Sequence, residues 1–155
     1  MLVRGGKSRG DRPTHGQRNP TGHYRRKPAA PADLADFDLL AFEIGDGFAE
    51  FEGKPGDHLL NPMGTVHGGS VMTLIDSATG RAGYSLVPAG AGFRTIETKV
   101  NLSRPITSDT GRVRAEAHVV SQTRQIISTE ARLTSRDGRV LAHGTATLMV
   151  VSCAK

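Results

Sequence analysis

Apolar and polar residues alternate with a period of two in four successive stretches of the second half of the chain. Ile96, Thr98, Val100 and Leu102 share one face, as do Val113, Ala115, Ala117 and Val119. The same holds for Ile127, Thr129, Ala131 and Leu133, and then for Val140, Ala142, Gly144, Ala146 and Leu148. Side chains of a strand point alternately to its two faces, so four strands are predicted. Breaks fall between them at Pro105 to Gly111, at "SQTRQ" and at Asp137-Gly138, a strong hairpin turn. Upstream the period changes. Val71, Leu74, Ile75, Ala78 and Ala82 recur at helical spacing, predicting a helix from about Val66 to Tyr84 that Gly83, Pro88 and Gly90 would end. Before it, "DFDLLAFEIGDGFAEFEGKPGDHLLNP" reads as a lead-in and a hairpin turned at Gly45-Asp46-Gly47.

Two strands, one long helix and four strands predict an α+β domain. An antiparallel sheet with one apolar face must bury that face, and this helix is the only long element able to cover it. A sheet wrapped around a single central helix follows.

The chain has 155 residues, enough for one domain over residues 32–155. Apolar residues make up 37% of it, and no apolar window approaches the roughly 18 residues that span a bilayer. The basic N-terminus lacks the apolar segment of a secretory signal. A single cysteine, Cys153, allows no internal disulfide and no multi-cysteine metal site, so a cytoplasmic setting is expected and a membrane is not. The formal charge of +5 is unevenly spread. Residues 1–31 hold eight basic residues against Asp11 alone, whereas the remainder holds 12 basic and 14 acidic. This Gly-, Pro- and Arg-rich tail has little to bury and is expected to be disordered. It could be drawn to an anionic surface, or be an over-extended start of the reading frame; by itself it does not make nucleic acid an expected partner.

Asp76 is the only carboxylate in "NPMGTVHGGSVMTLIDSATG". At about 100° per residue it shares its side of the helix with Gly69, Met72, Thr73, Ser77, Gly80 and Gly83 rather than with Lys, Arg or Glu. A solvated helix face would carry charges, whereas this one suits close approach by another body. At the start of the helix, free N–H groups can bind a developing negative charge, with Gly68 the candidate donor. Packing alone explains Gly68 equally well. Gly68 and Asp76 lie eight residues apart, so along one helix they are separated by about 12 Å, too far to act on one carbonyl. If both serve one reaction they must come from two copies, as a two-fold dimer with antiparallel helices would allow.

"NPMGTVHGGSVMTLIDSATG", continued by "TIETKVNLSRPI", resembles the PaaI-like branch of the hotdog-fold acyl-CoA thioesterases. The shared pattern is Asn, then Gly-x-x-His-Gly-Gly, then Asp nine residues after the His, then a strand Thr-x-x-x-x-Val-Asn-x-x-Arg-Pro. The likeness spans roughly residues 34–151. It implies a curved antiparallel sheet on one helix, assembled as dimers or dimers of dimers, with an acyl-CoA as substrate. It further implies Asp76 as catalytic carboxylate, the Gly68 N–H as polariser of the thioester carbonyl, and Asn61 as holder of the water or carbonyl. Thr95 stands where some members place a Ser or Thr near that water. His67, Gly69 and Arg104 are the corresponding candidates for substrate contact. A related branch uses Glu in the helix and Thr one turn later; here that later position is Gly80.

The chemistry suits a thioester, whose thiolate leaves without a strong general acid, so a carboxylate acting as base or nucleophile plus an oxyanion donor suffices. No cofactor is expected, coenzyme A being part of the substrate. His67 suits a role in fixing the start of the helix better than one in substrate contact. His58, His118 and His143 show no metal-ligand spacing. Arg81, Arg94, Lys99, Arg104 and Arg124 are candidates for the coenzyme A phosphates, and Met72 and the phenylalanines for core or interface. A non-catalytic acyl-CoA binder and an enoyl-CoA hydratase are the alternatives.

Overall fold

The computed structural model describes residues 38–152; residues 1–37 and 153–155, hence the basic tail, Phe37 and Cys153, lie outside the described residues, as do the side chains of residues 39–42. The hairpin is β1 (Leu39–Gly45) and β2 (Phe48–Gly53), the helix is α1 (Gly68–Tyr84), and β3 (Ala91–Leu102), β4 (Val113–Gln122), β5 (Ile126–Ser135) and β6 (Val140–Ser152) follow. All six strands form one antiparallel sheet in the order β1-β2-β4-β5-β6-β3. The chain therefore leaves β2, runs along α1 and rejoins the sheet at its far edge as β3. On the way α1 crosses the concave face and packs against β2, β4, β5, β6 and β3.

The predicted stripe is the buried stripe: Val71, Leu74, Ile75, Ala78 and Ala82 are each at most 4% exposed. They meet Phe51, Val113, Ala115, Ala117, Ala131, Leu133 and Ala142 from the sheet. At Gly144 the backbone lets the helix come close, because a Cβ there would lie 2.9 Å from Ile75 Cγ2 and 2.5 Å from the Lys99 carbonyl oxygen. The opposite face of the sheet is polar, with Arg114 paired to Glu50 and Glu116. The bond to Glu50 raises the Arg114 pKa above its ordinary value.

The structure changes three readings. The helix begins at Gly68 rather than Val66, because Val66 is used in a bridge to Leu60 and donates its N–H to Ile106. Its end at Tyr84 is the predicted one, although Gly83 lies inside the helix and does not end it. In β3, Thr95 pairs with Leu148 and Glu97 with Thr147, so Ile96 is the extra residue of a bulge. Ile96 is 54% exposed and does not share the inward face of Thr98 and Val100. The glycine strip beside Asp76 is partly filled from within the chain. Gly80 lies under the Phe93 ring, and a Cβ on Gly83 would sit 2.2 Å from Leu148 Cδ1.

Because Leu148 is fully buried, it has no free space to yield into. Gly83→Ala is therefore expected to lose at least about 1 kcal/mol net, overpacking outweighing alanine's helix preference. A urea titration checks this; an unchanged or raised midpoint would contradict it.

Candidate active site

The start of α1 is held by its own sequence. His67 takes the N-cap position in an extended conformation, and its Nδ1 accepts the Gly69 N–H at 3.0 Å. The His67 carbonyl accepts from Ser70 and Val71. His67 thus caps the helix as a hydrogen-bond acceptor through Nδ1. The Gly68 N–H, at the first helical position, has no acceptor among the described residues, and it is the donor left over for a bound group.

Asn61 lies just before this point. Its Oδ1 accepts the N–H groups of Met63 and Thr65, and its Nδ2 donates to Thr65 Oγ1 at 2.9 Å. The side chain thus braces the turn ahead of the helix and retains one amide hydrogen. Asn61 and Gly68 line a cleft of about 270 Å³ with Leu102 and Arg104. Arg104 itself is exposed and donates from Nη1 to the Val140 carbonyl at 2.7 Å, tying the end of β3 to β6.

Two turns further along, Asp76 is half-buried on the side of α1 that faces β3. Its Oδ1 accepts from Thr98 Oγ1 at 2.8 Å. Among the described residues no ion pair involves Asp76, and Oδ2 has no partner. Met72, 46% exposed, and Thr73 flank it toward the helix start. Toward the other end stand Gly80 and an aromatic pair, Tyr84 and Phe93, with ring centroids 5.7 Å apart.

Within one chain, then, the candidates fall into two groups. Asn61, Gly68 and Arg104 gather at the cleft, with His67 and Gly69 at its helical rim. Asp76 stands about 12 Å away by helical rise, outside that cleft. Thr95 is on the inward face of β3 but makes no hydrogen bond to Asp76; Thr98 makes it instead. The strand alternation by itself marks Thr98 only as one residue of an inward face. A hydroxyl among Val100 and Leu102 on that face was the available signal. His118 and His143 are exposed and bond to Glu116 and Asn101, and no group of His, Cys, Asp and Glu able to hold a metal occurs among the described residues. Arg94, Lys99 and Arg124 are exposed and Arg81 half-buried, with no ion pair among the described residues.

One helix laid across a curved six-stranded antiparallel sheet, with a carboxylate on its open side and a free amide at its start, defines a hotdog-fold protein. The chain belongs to the thioesterase superfamily, whose family model matches residues 63–142. It is similar to a thioesterase family protein from Silicibacter pomeroyi, at 31% identity over 79% of this chain and 91% of that one, with a TM-score of 0.71. A phenylacetic acid degradation-related protein from Ralstonia eutropha is 26% identical over 81% of this chain and 94% of that one, with a TM-score of 0.70. A Streptococcus mutans protein solved with bound acetyl CoA shares the fold at 22% identity, over 84% of this chain and all of that one, with a TM-score of 0.69. No curated protein matches the chain by sequence.

Proposed function

We propose that the protein hydrolyses an acyl-CoA thioester to the free acid and coenzyme A, at a site completed between two copies of the chain. Asp76 of one copy acts as general base on a water molecule. The Gly68 N–H of the other copy donates to the thioester carbonyl oxygen. The water oxygen bonds to the carbonyl carbon as Asp76 takes its proton, and the C–S bond then breaks with the electron pair leaving on sulfur. The proton held by Asp76 passes to the departing thiolate or to solvent, restoring the carboxylate. Asn61 helps hold the water or the carbonyl through its remaining amide hydrogen. Thr95, on the inward face of β3, lies near the same water, and Arg104, His67 and Gly69 border the bound ester.

The observation that carries this reading is the division of the candidates into two half-sites on one helix, each with an unused group: Asp76 Oδ2 and the Gly68 N–H. Neither half is a site alone. The fold offers a way to join them. β3 is a 12-residue edge strand that pairs only with β6 among the described residues, and Ile96 and Leu102 on it are 54% and 55% exposed. Long bare edges invite pairing, and two copies joining their β3 edges antiparallel, about a two-fold axis perpendicular to the strands, would bring their helices side by side and antiparallel. No described helix is long and apolar enough to cross a membrane. The acetyl CoA bound by the Streptococcus mutans protein supports the same ligand class.

The full chain incubated with a panel of medium-chain and aromatic acyl-CoA esters is expected to release free thiol, followed with a thiol reagent. Binding of these esters without thiol release would make the protein a carrier and contradict hydrolysis. Hydration of an enoyl-CoA in place of hydrolysis would contradict it too.

A further inference from the structure

We infer that Thr98 is the positioning residue for the Asp76 carboxylate; this rests on the hydrolase reading above and adds to it a residue outside the motif. An aspartate's terminal torsion is broad, so an unanchored carboxylate presents either oxygen over a range of directions. Here the Thr98 hydroxyl donates to Oδ1 at 2.8 Å across 22 residues of chain. With one oxygen tied to the sheet, the other has a defined direction, and Oδ2 is the oxygen with no partner among the described residues.

The backbone is arranged to deliver this hydroxyl. Thr98 faces Ala146 on the buried side of β6, in regular register with Val100 and Leu102, and so points at α1, while the bulge at Ile96 turns Thr95, opposite Leu148, to the same side. Ala146 is small and leaves room above it. Threonine's branched Cβ restricts χ1, which makes it a stiffer anchor than serine. The neighbours do not share the task. Glu97 is turned outward to Thr147, and Lys99 is exposed with no ion pair among the described residues. Among the described residues Asp76 is therefore oriented by a neutral donor and pairs with no cation.

Hexanoyl-CoA, or the best ester of the panel, provides the test, with Thr98→Val, Thr98→Ala and Thr98→Ser compared in steady-state kinetics. Val and Ala are expected to lower kcat about tenfold to a hundredfold with KM within about twofold, since a misdirected base slows the chemical step more than binding. Ser is expected to recover most of the loss. In an Asp76→Asn background Thr98→Val is expected to add nothing further, because the group it serves is gone. A folded Val or Ala variant with kcat within about twofold of the parent overturns the positioning role while leaving the hydrolase reading intact. A parent without thiol release overturns both. Equal losses from Thr98→Val in the parent and Asp76→Asn backgrounds would make Thr98 a structural residue only and overturn the inference as well.

Discussion

Asp76→Asn is expected to leave a folded protein that turns over at least about a hundredfold more slowly, the scale of a general base. The substitution keeps the shape of the side chain and an oxygen for the Thr98 hydroxyl, so the link between α1 and β3 survives. It removes only the ability to take a proton from water. Asp76 makes no ion pair among the described residues, so no cation is left stranded by the change. Melting temperature and kcat measured on the same preparation separate loss of chemistry from loss of fold. Near-parental turnover in a folded variant would remove Asp76 from the mechanism.

The second large effect concerns the Gly68 amide, and the local backbone permits its removal. Gly68 is the first residue of α1, a position that tolerates proline, and His67 before it has ψ of 134°, the extended value proline requires of its predecessor. Gly68→Pro deletes the N–H; Gly68→Ala keeps it. Both add a Cβ 3.0 Å from Leu102 Cδ1, the far end of a half-exposed side chain that can move. Gly68→Pro is expected to reduce kcat by about 10²–10³, as loss of an oxyanion donor does, whereas Gly68→Ala is expected to cost far less. Equal activity of the two variants would show that the glycine serves packing and the amide does nothing.

Much of this protein is legible in its residue pattern because its elements are regular. The apolar stripe of α1 and the alternation of β4, β5 and β6 follow directly from the geometry of helix and strand, and the turn at Asp137-Gly138 is a local choice of backbone. What escaped depends on contacts between elements. The bulge at Ile96 cannot be read from "TIETKV", since alternation looks unbroken until Thr95 is seen opposite Leu148. That one inserted residue turns Thr95 to the same side as Thr98. The glycines gave a mixed signal for the same reason. Gly80 and Gly83 lie on the Asp76 side by helical angle, yet Phe93 and Leu148 of the same chain fill the space beside them. His67 was readable as a cap because its position at the helix start is local. The separation of Gly68 and Asp76 was legible too, since a spacing of eight residues along a helix sets it whatever the rest of the fold does.

The account stands on Asp76 of one copy working with Gly68 of another, and mixed dimers test this most directly. Asp76→Asn and Gly68→Pro chains carrying different affinity tags are coexpressed, and the mixed dimer is isolated by two successive captures. Each such dimer has one site with both defects and one with neither, so it should recover about half the parental kcat per dimer although each variant alone is nearly inactive. A mixed dimer as inactive as its two parents would mean that Asp76 and Gly68 act within one chain or not together at all.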